Sequence, residues 1–207
     1  MPKARFLAFT GAVTFIVFLW SLIHPHDYFT WFLEVAPASV GFVVLAATYP
    51  KFKFTNLVYG LIVIHMMILM VGGHYTYARV PLFDWVRNTF HQSRNNYDKV
   101  GHFAQGFVPA FIAREVLLRK TPLQRGGWLD YIVISICLAI SATYELFEWI
   151  VAISSGASAD DFLGTQGDPW DTQSDMAFAL LGATVAVVLF SRLHDDFLEK
   201  ERLLLNS

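Results

Sequence analysis

The sequence predicts an all-α, polytopic membrane protein, a bundle of about six transmembrane helices, and two observations support this prediction. First, 55% of the 207 residues are hydrophobic and only 15% are charged, whereas soluble domains are about 25% charged. Second, six stretches approach the roughly 20 apolar residues that a helix needs to cross the bilayer. A disordered chain would be more polar, and a nucleic-acid-binding protein would carry a basic surplus, whereas the formal net charge here is −2.

The six predicted spans follow one another in a single integral membrane domain that covers residues 1–207. A His-Pro-His segment at residues 24–26 follows the first span in place of a small-residue cleavage site, so we interpret this span as an uncleaved helix. The fourth span is the least apolar, because it contains Gln105, Arg114 and Glu115. The predicted spans are residues 6–23, 29–48, 56–73, 100–118, 129–153 and 175–193.

The placement of Lys and Arg predicts the orientation of the bundle. With the N-terminus in the cytoplasm, 11 of the 15 basic residues fall in cytoplasmic segments. The positive-inside rule therefore favours cytoplasmic positions for both termini. The four basic residues on the outer side are Arg79, Arg87, Arg94 and Lys99. We interpret the three arginines first as solvated loop charges, with binding of an anionic headgroup as the alternative.

Six acidic and histidine side chains are predicted to lie at one level of the bundle, near its outer face. They form three pairs, each spaced by three or four residues, so that both members share one helix face. The pairs are Asp98 with His102 on the fourth span, Glu145 with Glu148 on the fifth, and Asp171 with Asp175 on the sixth. A carboxylate in hydrocarbon costs about 2.5–3.5 kcal/mol on insertion scales. The sequence therefore predicts a shared polar cavity, shared protons or a bound cation.

Two chemistries are compatible with this group of residues. Carboxylates and imidazoles at such spacings on facing helices build metal sites in helical bundles. The predicted ligands of a divalent cation are His102, Glu145, Glu148 and Asp175. Mixed histidine and carboxylate ligands suit Zn, Mn or Fe, whereas an all-oxygen subset suits Mg or Ca. Without a metal, crowded carboxyl groups beside a histidine suit general acid–base catalysis.

Several of these residues also have a structural interpretation. Asp98 precedes an apolar run and could cap a helix, and Asp171 could match the dipole of the next helix. His102 alone would be a satisfied core histidine, but its spacing from Asp98 favours a site. Glu145 and Glu148 have no Lys or Arg within one helical turn, so a functional role is favoured for both.

Residues 98–103, with the sequence D-K-V-G-H-F, resemble the D-K-x-x-H-F signature that opens a helix in VanZ-like membrane proteins. Glu145 and Glu148 fall where those proteins have a Glu-containing motif, and residues 171–183 are similar to their last motif. The Asn of that last motif, and the Arg before its aspartate pair, have no evident counterpart. Over its full length the chain resembles the YjdF-type family, which implies a multi-pass protein of the bacterial inner membrane without a known reaction.

Three functions are compatible with the pattern. The first is an enzyme whose six outer residues act on a lipid or a lipid-linked envelope precursor, either with a divalent cation or by acid–base catalysis. The second is a proton-coupled or cation-coupled transporter, which is disfavoured because the acids lie near one face and not at the midplane. The third is a non-catalytic scaffold or sensor. Membrane lipids are the expected partners, nucleic acids are not, and the substrate, the metal and the oligomeric state stay open.

Overall fold

The computed structural model describes residues 3–155 and 165–205, and these ranges contain seven helices and no strand. Six helices have 20 residues or more, and one has nine. They are α1 (Lys3–Leu22), α2 (Tyr28–Thr48), α3 (Asn56–Tyr75), α4 (Pro81–Thr89), α5 (Tyr97–Lys120), α6 (Gly127–Ser155) and α7 (Asp171–Leu205). The prediction of an all-helical membrane bundle is confirmed.

α2 and α3 each follow a residue whose side chain caps the start of the helix. The Asp27 carboxylate accepts a hydrogen bond of 2.8 Å from the backbone N–H of Thr30 at the start of α2. Thr55 caps α3 in the same way, as Asp and Thr commonly do at this position. The short helix α4 begins at Pro81, whose missing N–H carries no cost in the first turn.

Five of the helices are long and apolar enough to cross a membrane, namely α1, α2, α3, α6 and α7. Their outward side chains are apolar: Phe15, Val43 and Leu189 are each at least 60% exposed. Exposed apolar surface on this scale would be a liability in water. It is the surface expected of helices that face lipid tails.

α5 is absent from these five helices, because it carries six charged residues. The positions of the chain ends nevertheless require it to cross the bundle. Lys3 on α1 forms a salt bridge of 2.8 Å with Glu201 on α7, so the two ends of the described chain meet at one end of the bundle. Five crossings would place them at opposite ends. α5 packs against α3, α6 and α7, so Asp98, Lys99, Arg114 and Glu115 are buried against protein, whereas Arg119 and Lys120 are exposed in its last turn.

α5 and α7 run in parallel and form the central pair of the bundle. They approach so closely that a Cβ on Gly106 would overlap the carbonyl oxygen of Ala179, and one on Gly182 would overlap that of Phe103. Small residues allow such backbone contact between helices in membranes. The Lys99–Asp175 contact lies two helical turns above Gly106 and Gly182, because both spacings are seven residues.

A buried network of charges joins α5 and α7 at the end of the bundle where Lys3 and Glu201 lie. We call this the opposite end, because it lies across the bundle from the end where α5 and α7 begin. Glu115 on α5 is fully buried, accepts a hydrogen bond of 3.0 Å from the backbone N–H of Thr55, and lies 3.3 Å from His194 on α7. Arg114 pairs with Asp195 at 2.8 Å. α7 continues twelve residues beyond the predicted end of the sixth span, and the contacts of His194 and Asp195 with α5, and of Glu201 with Lys3, hold this extension against the protein.

We expect that Gly106→Ala and Gly182→Ala each destabilise the bundle, because the added methyl group must separate two helix backbones. Overpacking of this kind costs about 1–3 kcal/mol. Thermal unfolding in detergent measures the loss. Gly11→Ala is the matched control, since nothing lies within 4 Å of a Cβ there. Equal melting temperatures for all three variants would contradict the close approach of α5 and α7.

Candidate functional site

The end of the bundle where α5 and α7 begin, which we call the site end, contains a buried cluster of ion pairs. The Nζ atom of Lys99 lies 2.8 Å from Asp171 and 2.7 Å from Asp175. It also lies 3.2 Å from Asp98. Arg94 contacts Asp98 and lies 2.6 Å from Asp171. These five residues are each at most 9% exposed, and we call them the ion-pair cluster.

Arg94 reaches this cluster because the loop before α5 is fixed by hydrogen bonds. Asn95 is fully buried, and its side chain donates to the carbonyl oxygen of Val80 at 3.1 Å. The backbone N–H of Asn95 donates to Gln166, whose amide donates back to the Asn95 carbonyl at 2.8 Å. The interpretation of Arg94 as a solvated loop charge is therefore wrong. Arg87, by contrast, is partly exposed and pairs with Asp84 at 3.2 Å.

The electrostatics of Arg94 follow from this position. Burial alone lowers the pKa of its guanidinium, but the carboxylates of Asp98 and Asp171 outweigh that effect, and the pKa of Arg94 lies above its ordinary value. The guanidinium therefore stays charged at any pH at which the protein is folded. Asp168 adds a further contact at 3.3 Å, which joins the segment before α7 to the same cation.

A second group lies beside the cluster and consists of His102, Glu145 and Asp175, one each from α5, α6 and α7. Each residue offers one possible metal ligand, a ring nitrogen of His102 or a carboxylate oxygen of Glu145 or Asp175. These three atoms lie within 4.8 Å of one another. His102 Nε2 is 3.6 Å from Asp175, and His102 Nδ1 is 3.8 Å from Glu145. The Oε1 atom of Glu145 is buried and accepts no hydrogen bond from the described residues. We call these three residues the His-Glu-Asp triad.

Asp98, Asp171 and Asp175 form another group with carboxylate oxygens within 4.8 Å of one another. The Lys99 ammonium already lies within 3.2 Å of each of these residues. A metal ion placed among them would meet this fixed positive charge. The His-Glu-Asp triad is therefore the better candidate for a cation site in the described part of the chain.

A cavity of about 190 Å³ opens beside the triad and the ion-pair cluster. Its wall combines carboxyl groups, two histidines and two tyrosines with aliphatic side chains, and it includes no Lys or Arg. The lining residues are Glu34, Pro37, His65, Leu69, Tyr77, Asp98, Gly101, His102, Gln105, Pro109, Ile140, Tyr144, Glu148, Asp171 and Asp175.

The six site residues predicted from the sequence all lie at this one end of the bundle. Asp98, His102, Asp171 and Asp175 line the cavity, as does Glu148. Glu145 belongs to the triad, whereas Glu148, the fourth predicted metal ligand, lies outside it. Asp98 is not a helix cap, because α5 begins one residue earlier with Asn96 as its N-cap.

Comparison with known proteins now places the chain. The model of a family described as "Predicted membrane protein (DUF2238)" matches residues 6–196. The chain belongs to this family. It is 48% identical to the inner membrane protein YjdF of Escherichia coli (strain K12) over 186 residues, which cover 89% of each chain. No solved structure matches the chain.

Family membership agrees with the resemblance to YjdF-type proteins that the sequence indicates. With its candidate spans, the chain is a multi-pass membrane protein, and its relative is by name an inner membrane protein. The DUF2238 match includes both halves of the chain and every residue of the triad and the ion-pair cluster. The resemblance of the second half to VanZ-like proteins stays a prediction.

Sequence reasoning missed two tyrosines of the cavity in this DUF2238 chain. Tyr144 donates a long hydrogen bond of 3.5 Å to Glu34. Its spacing of four residues from Glu148 was the available signal, because this spacing places both on one helix face. Tyr77 lies in the loop after α3, and no spacing relates it to the site.

Tyr77 is held in the cavity wall by an unusual backbone. Thr76 and Tyr77 have φ angles of 57° and 38°, a left-handed conformation that costs free energy in residues other than glycine. The ring occupies space beside Gly72 and Gly101 that any larger residue would fill. Burial raises the pKa of the Tyr77 hydroxyl well above its ordinary value, so the hydroxyl keeps its proton.

We expect Lys99→Met to destabilise the protein by about 3–5 kcal/mol, because it leaves buried carboxylates without their cation. Adding Asp175→Asn to this variant should recover part of the loss. Unfolding in detergent measures all three proteins. Lys200→Met is the control, since Lys200 is exposed on α7 and surface changes stay within about 0.5 kcal/mol. Equal stability of the Lys99 and Lys200 variants would contradict the role given to Lys99.

Proposed function

We propose that this protein is a membrane-embedded enzyme that binds a divalent cation through His102, Glu145 and Asp175 and acts on an amphipathic substrate at the outer face of the inner membrane. The single observation that carries the proposal is the Oε1 atom of Glu145, buried without a hydrogen-bond partner in the described structure beside an imidazole and a second carboxylate. A buried carboxylate oxygen without a partner is costly, and a cation would satisfy it.

The spacing of the triad supports a metal ion. Ligand atoms bound to one ion at about 2.0–2.2 Å lie roughly 3–3.5 Å from one another. Gln105 contacts His102 Nδ1 at 3.1 Å, which leaves Nε2 as the ligand atom, 3.6 Å from Asp175. One ligand atom from each of the three residues lies within 4.8 Å of the other two, so side-chain movements would close the site. One imidazole and two carboxylates suit Zn, Mn or Fe. Three protein ligands leave coordination positions for water or substrate.

The chemistry of the surroundings supports catalysis more than a purely structural ion. A divalent cation polarises a phosphoryl or carbonyl oxygen. Glu148 lies in the cavity wall outside the triad, so its carboxyl group is placed to exchange a proton with a substrate or a water molecule. Tyr77 and Tyr144 offer hydroxyl donors in the same wall. Lys99 and Arg94 hold four aspartates of the site end in ion pairs. Glu148, Tyr77 and Tyr144 are outside these ion pairs and are therefore left for chemistry.

The size and level of the cavity support an amphipathic substrate. A volume of about 190 Å³ is smaller than the 300–1,000 Å³ of sites that enclose a drug-sized ligand. The cavity accommodates a small polar group, whereas the helices around it present apolar surfaces to lipid. A lipid or a lipid-linked precursor matches both environments, because it has a compact headgroup and an apolar remainder that stays in the bilayer.

The charge distribution supports an outward-facing site. Four of the 15 basic residues lie at the site end, and 11 lie at the opposite end or near it. Two of the four, Arg94 and Lys99, are buried in ion pairs, so the accessible surface of the site end is even less basic than the sequence suggests. By the positive-inside rule the opposite end is cytoplasmic.

We expect the purified protein to hold close to one equivalent of a transition metal, and Glu145→Gln and His102→Ala to weaken its binding by at least about 100-fold, since even outer-shell changes cost 10–100-fold. Metal analysis and titration after chelation measure this. Glu148→Gln is the matched control, one helical turn from Glu145 and outside the triad. It should keep the metal and lose turnover of a lipid substrate.

Other outcomes of this experiment overturn the proposal. A protein without metal, unaffected by the three substitutions in stability and in phenotype, would show that the triad is not a cation site. Proton flux in liposomes that Glu148→Gln abolishes would favour a transporter.

We expect a fluorescent-protein fusion after Ser207 to fluoresce and an alkaline phosphatase fusion at the same position to be inactive, because the C-terminus is placed in the cytoplasm by the positive-inside rule. A phosphatase inserted after Asn88 on α4 should be active. The reverse pattern would place the site on the cytoplasmic face and contradict an envelope substrate.

A further inference from the structure

The short helix α4 is held against the bundle by one of its faces. Asp84 accepts a hydrogen bond of 3.1 Å from the buried Asn95 side chain. The ring of Phe83 packs edge-on against Tyr97 on α5, with centroids 5.3 Å apart. The carbonyl oxygen of Val80, just before the helix, also accepts from Asn95. These contacts fix the rotation of α4 about its own axis.

The large side chains of α4 that point away from the bundle are apolar, whereas the smaller exposed residues near its C-terminal end, Asn88 and Thr89, are polar. Leu82 is 64% exposed and Trp85 is 60% exposed, and Phe90, which follows the helix, is 66% exposed. Leu82 and Trp85 are three residues apart, so they share one face. Asn88 is also exposed, but at 100° per residue it lies well away from the centre of that face. Nothing in the described chain covers this face.

The position of α4 in the bundle identifies what lies against that face. α3 ends at Tyr75 and α5 begins at Tyr97, and both of these ends belong to the site end. α4 therefore lies at the level where spanning helices leave the bilayer. Its nine residues extend about 14 Å, which is less than half of the hydrocarbon thickness, so it cannot cross.

We propose that α4 lies in the plane of the membrane at the lipid–water interface and docks on lipid through Leu82, Trp85 and Phe90. A short helix with one apolar face and one polar face is the type that binds at this depth. Trp is enriched there, because its ring is amphipathic. α4 connects the ends of α3 and α5 at the site end, and the spanning helices of this bundle expose apolar side chains, so we favour lipid as the occupant over a second protein. The proposal does not depend on the metal site.

Docking of α4 has a consequence for the cavity. Tyr77 lies four residues before Pro81, and its ring forms part of the cavity wall. The linker between them is only three residues long, and the two left-handed residues, Thr76 and Tyr77, come directly before it. If α4 is anchored on lipid, it fixes the C-terminal end of this linker. Gly72 and Gly101 fix the other end, because the Tyr77 ring packs against them. The interface helix thereby holds one wall of the site.

The experiment uses the full chain in liposomes with a single labelled cysteine. Cys137 is the only native cysteine and is buried, so Cys137→Ala gives a cysteine-free background. An environment-sensitive fluorophore is attached at Leu82→Cys or Trp85→Cys, and at Asn88→Cys as the matched control. We expect lipids carrying a nitroxide near the headgroup to quench positions 82 and 85 at least threefold more strongly than position 88. Aqueous iodide should give the opposite order.

Two results would overturn the proposal. Equal iodide quenching at positions 82 and 88 would place the apolar face in water. Shielding of position 82 from both quenchers would place it against protein, either a second copy of the chain or another partner. A measurement without cysteine variants guards against misfolding: Trp85→Phe should remove part of the fluorescence that brominated lipid quenches, and an unchanged quenchable fraction would contradict the proposal.

Discussion

The structure depends on one buried cation, the ammonium group of Lys99. It lies within 3.2 Å of three aspartates that belong to two different helices. Without this charge, Asp98, Asp171 and Asp175 could not stand side by side in a membrane protein, because the repulsion and the desolvation of the carboxylates would oppose folding. The glycine contacts two turns below bring α5 and α7 close enough for the pairing. The triad can form only because Asp175 is already held at this position.

The described site end contains more carboxyl groups than cations, and this imbalance is informative. The ion pairs of Lys99 and Arg94 account for four of the carboxyl groups, those of Asp98, Asp168, Asp171 and Asp175. Glu34, Glu145 and Glu148 have no Lys or Arg partner among the described ion pairs. Tyr144 and Tyr77 are hydrogen-bond donors to Glu34, and Thr172 is one to Glu145. Buried carboxyl groups without cations are neutralised by protons or by a bound cation. Glu34 and Glu148 line the cavity, and Glu145 lies beside it in the triad.

The sequence predicted an all-helical membrane bundle, because helix length and apolar composition are local properties. It also placed the six site residues at one level, because helix direction alternates from span to span. The pairing of Arg94 with Asp171 could not be predicted in the same way. It depends on a loop that folds back through Asn95 and Gln166, and no periodic pattern encodes such contacts. Tyr77 was missed for a similar reason, since its position is set by backbone angles and by glycines on other helices.

The extension of α7 is a second feature that local sequence patterns do not predict. Hydropathy ends the predicted span at residue 193, where charged residues begin. The helix continues because His194 and Asp195 meet partners on α5, and this information lies outside the segment itself. α5 shows the reverse error of hydropathy. Its composition is too polar for a span by itself, yet neighbouring helices bury the charged side chains of Asp98, Lys99, Arg114 and Glu115.

The contact between α5 and α7 also separates the charged layers at the two ends of the molecule. Lys99 and Glu115 mark these layers on α5 and are 16 residues apart. At about 1.5 Å for each residue, this separation is about 24 Å, which is close to the hydrocarbon thickness. Between these charged layers the helices touch through glycine and backbone, and Phe103, Phe107 and Phe111 pack against one another. The buried charges at the opposite end are matched to one another, whereas those at the site end are not. The asymmetry favours chemistry performed at one face over a relay that crosses the membrane.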